Sequence, residues 1–454
     1  MHTPLYTKIR ELTGAYPLCM PGHKRRAHFL PNDILGLDIT EIDGSDNLHA
    51  PSGVIAEAQA LMAKLYKSGD CIFCVNGGSS GILAAILGTL GEGDTLLAVK
   101  NAHKSLQNAL VLSGADAVYI SPDISPCGFC LPITAEKIEE ALNKLSDIKA
   151  VFIVSPTYEG YCADIKKIAD CVHKYGKILI VDETHGAHFP FNAVFPKTAS
   201  ECGADISVQS WHKTLPVPNQ CALINIVGGR VDAQKIRRAF SMVTTTSPSY
   251  IFMGLMDAVR GYYTAHPSLF DEYADNLISL RKRLSELKNI GLADSDIYDI
   301  SKLTLLKNFE GETSYLEKRL KKAGFVLEMT APSHIIAMTS ICDDINMLER
   351  FADILLEADG TLTFSAYKDE KFDMPLLSDK INQRKIFYSD TVSVPLENSV
   401  GRTAAEHITP FPPDIPAILA GEKITARGIG AIKAYINAGA EILGLDNGMI
   451  SVIR

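Results

Sequence analysis

Asp205-Ile-Ser-Val-Gln-Ser-Trp-His-Lys-Thr-Leu-Pro216 is the stretch on which the fold turns. Its first residues read as a buried strand that runs out into Ser210, Trp211, His212 and Lys213. A lysine held at such an end can form an imine with an aldehyde. Upstream, Lys177-Ile-Leu-Ile-Val-Asp-Glu-Thr-His185 puts Asp182 at the end of another apolar strand. An amine and a carboxylate at two strand ends suggest an enzyme.

Outward from these two segments, short apolar runs at 71–75, 95–99, 117–120, 150–154, 178–181, 206–208 and 222–226 alternate with amphipathic stretches. This spacing predicts an α/β fold, a mostly parallel sheet with helices on its faces. In such sheets ligands bind beyond the carboxyl ends of the strands, where the polar segments fall. A chain of 454 residues exceeds one core. We expect an N-terminal arm over 1–50, a large domain over 51–290 and a smaller α+β domain over 291–454. The arm holds loop signals such as Met20-Pro-Gly-His-Lys. An amphipathic stretch at 267–288 leads out of the large domain; runs at 298–306, 314–323, 325–329, 335–339 and 347–357 build the smaller one, and 360–425 is loop-rich.

The net charge of -9 and pI near 5.8 argue against nucleic-acid binding. The sequence contains no secretory h-region and no apolar run long enough to span a bilayer, so a cytoplasmic location is expected. Cys71/Cys74 and Cys127/Cys130 have C-x-x-C spacing. Cys71 and Cys74 fall in a strand, where residues three apart point to opposite faces and cannot share one ion; no metal is expected.

Asn76-Gly-Gly-Ser-Ser-Gly81 follows the first strand and opens a helix predicted over 82–90. A Gly/Ser turn at a helix start offers amides, hydroxyls and a positive dipole end to a phosphate, with Ser79 and Ser80 as donors; a plain Ser-capped turn is the alternative. His103 opens the next helix, where its ring can lie against a planar ligand. Asp182 can cap a turn, or keep a pyridine nitrogen protonated so that the ring serves as an electron sink. His185 can orient Asp182 or touch the cofactor, His188 reads as structural, and Ser210 and His212 flank Lys213 closely enough to bind a phosphate. Taken alone, Lys213 can also be a solvated strand-end lysine.

Phosphate turn, stacking ring, carboxylate and imine lysine occur in the order found in fold-type I pyridoxal phosphate enzymes, the aspartate aminotransferase-like fold. The chain resembles the bacterial ornithine/lysine/arginine decarboxylases in the short form without an N-terminal wing domain. The resemblance is carried by Pro4-Leu-Tyr, Met20-Pro-Gly-His-Lys, Asp43-Gly-Ser-Asp-Asn-Leu-His-Ala-Pro-Ser-Gly, Asn76-Gly-Gly-Ser-Ser-Gly, His103-Lys-Ser, Ser155-Pro-Thr-Tyr-Glu-Gly, Val181-Asp-Glu-Thr-His-Gly-Ala-His, Ser210-Trp-His-Lys and Pro410-Phe-Pro-Pro-Asp-Ile-Pro. It implies pyridoxal 5'-phosphate as cofactor, Lys213 for the imine, Asp182 for the ring nitrogen, His103 for stacking, and Ser79, Ser80, Ser210 and His212 for the phosphate. It further implies that Thr245 and Thr246 enter the neighbouring subunit's phosphate site, so that a homodimer or higher homo-oligomer shares its active sites. Three departures stand out: Gly78 where many relatives have a hydroxyl, Thr184 where alanine is common, and Asp414 where glycine is usual.

The activity implied is α-decarboxylation of a basic amino acid, with Lys213 or His103 returning the Cα proton. Asp43, Asp46, Glu159 and Glu406 are the candidates for the substrate's distal cation. The sequence leaves open which of arginine, lysine and ornithine is preferred. Competing readings are an aminotransferase, with Arg402 clamping the substrate carboxylate, and a non-catalytic cofactor-binding regulatory or assembly partner.

Overall fold

The computed structural model describes residues 16–18, 41, 45–367, 376–411, 416–437 and 439–454. Asp43, Asp414 and most of the expected arm lie outside the described residues.

In chain order, β1 is Tyr16–Leu18, β2 Asp70–Cys74, β3 Thr95–Val99, β4 Asp116–Ile120, β5 Ile148–Val154, β6 Ile178–Asp182, β7 Ile206–Ser210 and β8 Ala222–Ile226. Then follow β9 Ile290–Leu292, β10 Lys302–Lys307, β11 Phe325–Leu327, β12 Met329–Thr330, β13 His334–Met338, β14 Ile381–Asn382, β15 Thr391–Pro395, β16 Thr409–Phe411, β17 Glu441–Leu443 and β18 Met449–Ile453.

The large sheet has the order β14-β4-β3-β5-β6-β7-β8-β2. Pairing is parallel from β4 through β7, while β14 and β8 run against it. β2 is antiparallel to β8 and so points the same way as β7. β3 and β8 are buried along their whole length, as their mostly apolar sequences require of strands covered on both faces, with the polar Asn225 of β8 bonded to Gln209. Helix Gly77–Thr89 lies close on this sheet, where a Cβ on Gly81 would sit 2.8 Å from Val208 Cγ1, and close on helix Ala233–Val243, where one on Gly88 would sit 2.7 Å from Ile236 Cα. Side-chain oxygens of Thr134, Asp164 and Asp232 accept from first-turn amides and start helices Ala135–Lys144, Ile165–Lys174 and Ala233–Val243.

Beyond the large sheet, whose core also takes in Ile381 and Leu419, the two larger of the remaining apolar cores are built mostly from the later part of the chain. One, from Leu280 to Ala358, lies under the antiparallel sheet β12-β13-β10-β9 and also takes in Leu18 of β1, which pairs with β11. The other, from Leu396 to Val452, is held by the β15-β18 and β16-β17 pairs and helix Ala426–Asn437. Among the described residues no helix is long and apolar enough to cross a membrane.

Three local readings are corrected. The run at 325–329 is two strands in different sheets, separated by Glu328, whose side chain accepts from Tyr158 Oη at 2.5 Å. The strand expected from 298 begins at Lys302, because Asp299 Oδ1 gathers the amide and hydroxyl of Ser301 into a turn. The helix expected from 82 begins at Gly77, so Gly78, Ser79 and Ser80 lie in its first turn.

Candidate active site

β2, β3, β6 and β7 end on the same edge of the sheet, and the segments that follow them carry Gly78 to Ser80, His103, Asp182 with His185, and Ser210 with Lys213. Lys213 stands on the short helix Trp211–Thr214. Trp211, wholly buried, fixes that turn by donating Nε1–H to Tyr66 Oη at 2.9 Å, and the Tyr66 hydroxyl donates to Ala187 O. β7 reaches Ser210 even though Ser207 and Gln209 are polar, because Gln209 bonds Glu183, Ser207 and Asn225 inside the core.

Lys213 Nζ lies 3.3 Å from Thr184 Oγ1 and 3.0 Å from His185 Nε2. Burial lowers its basicity, against the pull of Asp182 and Glu328. His185 Nδ1 in turn lies 2.8 Å from Nζ of Lys302, a lysine with no solvent exposure. Burial, with Lys213 and Lys302 beside it, holds His185 well below its ordinary range and hence neutral. Asp182 is 4 % exposed; its Oδ1 accepts from the Thr184 amide at 3.1 Å, and its second oxygen has no hydrogen-bond partner among the described residues. His103 caps helix Lys104–Ser113, its Nδ1 accepting from Ser105 N at 3.2 Å. His188 pairs with Asp299 at 3.1 Å, both buried, in keeping with a structural role.

At the phosphate end, first-turn amides have no intrahelical acceptor. Gly78 meets this turn without a side chain, since a Cβ there would lie 2.5 Å from Ser210 Oγ and 3.1 Å from Thr184 Cγ2. Ser79 is exposed, whereas Ser80 turns inward and donates to Gly77 O at 2.8 Å, so its hydroxyl is committed to the helix start. His212 Nδ1 faces Cys221 O at 3.3 Å. Thr245 and Thr246 are exposed; the Thr245 amide donates to Asn76 Oδ1 at 3.3 Å beside the same turn. A buried carboxylate with an unpartnered oxygen, a buried amine and a side-chain-free cradle of amides fit a pyridine ring bearing an aldehyde and a phosphate.

The expected partners of a distal cation are not brought together. Asp46 accepts from the amides of Asn47, Ser52, Gly53, Ile55 and Ala56 with its two oxygens, and so organises the loop before helix Val54–Tyr66. Glu406 is exposed and Asp43 lies outside the described residues. Glu159 is buried and lines a cavity of ≈ 1530 Å³ between the large sheet and the two smaller cores. Glu328, Tyr158 and His334 also line it; Lys213, Asp182 and His103 do not, and the cavity approaches them through Tyr158, whose ring stands 5.3 Å from that of His185. Burial pushes Glu159 up to about 7 and His334 down to about 4, so their 3.8 Å approach is not an ion pair at neutral pH. Arg402, expected as the carboxylate clamp of an aminotransferase, bonds Ile453 O at 3.2 Å and does not line this cavity. Sequence reading passed over Lys302, Glu328 and Tyr158 as site residues; the signals were a charged residue at the head of an apolar strand for Lys302 and the Ser155-Pro-Thr-Tyr-Glu-Gly motif for Tyr158.

Residues 3–307 match the family model described as Orn/Lys/Arg decarboxylase, major domain, and residues 362–444 that described as Orn/Lys/Arg decarboxylase, C-terminal domain. The chain is 31% identical to an arginine decarboxylase of Bacillus subtilis (strain 168), across 100% of this chain and 97% of that protein. It is also 31% identical to an arginine decarboxylase of Halalkalibacterium halodurans, with the same coverage of 100% and 97%. Among solved structures it is similar to the Francisella novicida lysine decarboxylase LdcF, with TM-score 0.78 and 18% identity over 100% of this chain and 79% of that one. An SPT solved with PLP is more distant, with TM-score 0.59 and 14% identity over 76% and 88% of the two chains. The chain belongs to the Orn/Lys/Arg decarboxylases, pyridoxal phosphate-dependent enzymes of fold type I.

Proposed function

We propose that this enzyme removes the α-carboxylate of arginine in preference to lysine or ornithine, releasing CO2 and the corresponding amine. The observation that carries the reading is the meeting of Lys213 and Asp182 with the amide cradle at Gly78 on one sheet edge, in a chain similar along its whole length to arginine decarboxylases. When bound, pyridoxal phosphate supplies an aldehyde that condenses with an amine and a ring that accepts the electron pair left by CO2.

The chain's own residues do the rest. Lys213 would supply the amine that holds the aldehyde and that the substrate amine replaces. Asp182, through its unpartnered oxygen, keeps a proton on the ring nitrogen. His103, fixed as a helix cap, would stack on the ring and share with Lys213 the return of the Cα proton. Gly78, Ser79, Ser210, His212 and the first-turn amides take the phosphate; the Ser80 hydroxyl does so only by leaving Gly77 O. Glu159 and Glu328, which line the cavity, face the guanidinium.

We further propose a cytoplasmic homodimer in which Thr245 and Thr246 serve the partner's phosphate site. Met242, 79% exposed just before them, is the kind of apolar surface a second subunit covers. The test is CO2 release from arginine, lysine and ornithine by purified protein loaded with pyridoxal phosphate. CO2 and agmatine in equal amounts from arginine, with slower release from the other two, is the expected result. CO2 from none of the three sinks the reading; faster release from lysine or ornithine sinks the arginine preference.

A further inference from the structure

Lys302 is a buried amine that the decarboxylation described above does not use. Its Nζ touches His185 Nδ1 at 2.8 Å, Tyr158 O at 3.3 Å and Met338 Sδ at 3.5 Å, and no carboxylate among the described residues lies within ion-pair distance. The other ring nitrogen of His185 is 3.0 Å from Lys213 Nζ. Two lysine nitrogens therefore face the two nitrogens of one imidazole. A neutral imidazole accepts at one nitrogen and donates at the other, so two ammonium groups cannot both be satisfied by it. One ammonium and one free amine can be, in either order, with a matching His185 tautomer.

We propose that Lys302 and Lys213 hold one proton between them through His185, so that Lys302 takes the proton when Lys213 must act as a free amine and returns it afterwards. Lys302 is thereby a positioning residue. In the forward direction a proton leaves Lys213 Nζ for His185 Nε2 while the Nδ1 proton passes to Lys302 Nζ; only N–H bonds change and the total charge is constant. On Lys302 the charge is received by the Tyr158 carbonyl and the face of the Tyr158 ring, 5.4 Å away. Other charged groups bear on the chain: Asp182 and Glu328 on Lys213; Asp299, Glu328 and Glu159 on Lys302; His212 and His103 on His185. Burial lowers the basicity of both amines, Lys302 to about 8, so each is disposed to give up a proton to the other.

The proposal rests on the reading of Lys213 as the lysine that holds the cofactor. Borohydride reduction of the loaded wild-type enzyme, followed by peptide mass spectrometry, tests that reading separately: the fixed cofactor on a different lysine overturns it and the proposal with it. The proposal itself is tested on full-length, cofactor-free protein by the pH profile of Lys213 acetylation with acetic anhydride, read at its peptide. Two coupled lysines give a two-step profile in the wild type. In Lys302→Met the profile becomes a single step moved upward, with Lys213 reacting about tenfold more slowly near pH 8. A Lys302 that only fills space lowers stability and leaves the profile unchanged, which overturns the proposal. Should neither Lys302→Met nor Lys302→Gln fold, the wild-type profile decides: two steps support the shared proton, and one step overturns it.

Discussion

Gly78 is the residue with least room in the site, and its cradle sets a test of the phosphate end. A serine there offers a further hydroxyl, but its Cβ would be placed 2.5 Å from Ser210 Oγ, so Ser210 or the helix start must move. Overpacking of this kind costs about 1–3 kcal/mol. Gly78→Ser is therefore expected to weaken cofactor binding about tenfold, read by absorbance titration of cofactor-free protein; tighter binding would mean that Ser210 yields without loss. Lys213→Ala is expected to lose the visible absorbance of the cofactor-bound enzyme and to slow CO2 release at least about a thousandfold. Asp182→Asn, which keeps the shape and removes the charge, should lower kcat about a hundredfold or more. Lys213 and Asp182 were legible as candidates in the sequence because Asp182 ends an apolar strand and Lys213 closely follows another. Lys302 was not: it opens β10 and Lys307 closes it, and only the fold reveals that Lys302 is buried against His185 while Lys307 is partly exposed.

The loop that leads into helix Val54–Tyr66 depends on a single side chain. Asp46 has left-handed backbone, φ +65°, and its carboxylate gathers the amides on both sides of the turn. Burial alone would raise its carboxyl; the amides of Ser52, Asn47, Gly53 and Ala56 outweigh it and hold the group at about 2. A carboxyl more acidic folded than unfolded stabilises the fold above its unfolded value and loses that contribution as pH falls through the folded value. Asp46→Ala is thus expected to cost about 1–2 kcal/mol at neutral pH, with the gap to wild type closing as pH falls from about 4 toward 2. Urea melts across that range would show it, and a gap independent of pH would mean that the charge is irrelevant. Elements were legible to the same degree as their local signals. The apolar strand at 95–99 announces itself. β7 runs past its apolar residues because Gln209 finds Glu183 and Asn225, partners distant in sequence. The 325–329 run divides at Glu328 because Tyr158, from another part of the chain, holds that carboxylate.

At the scale of the molecule, the cavity lies where apolar cores meet without filling the space between them, and the proposed partner of the substrate's distal cation, Glu159, lies there rather than at the sheet edge. Lys100 of the large sheet and Glu422 of the last core close one side of it with a 2.8 Å ion pair, while Glu159 and Glu328 give the inner wall its acidity. Periodicity predicts the elements but contains nothing about the gap left between cores, so only the assembled cores single out Glu159, of the three acidic candidates among the described residues, as lining it. Glu159 is ionised only above about 7, because burial penalises its charge more than Lys302 and its own amide favour it. A guanidinium binds the ionised carboxylate and not the neutral acid. KM for arginine is therefore expected to fall as pH rises toward about 7 and to level off above it, at a slope of at most about tenfold per pH unit. Glu159→Gln fixes the neutral form, so its KM should start about tenfold high at pH 8 and lose this dependence, with kcat much less affected. A variant whose KM still tracks pH as the wild type does would assign the cation to another group, and Glu328→Gln is the next substitution to compare.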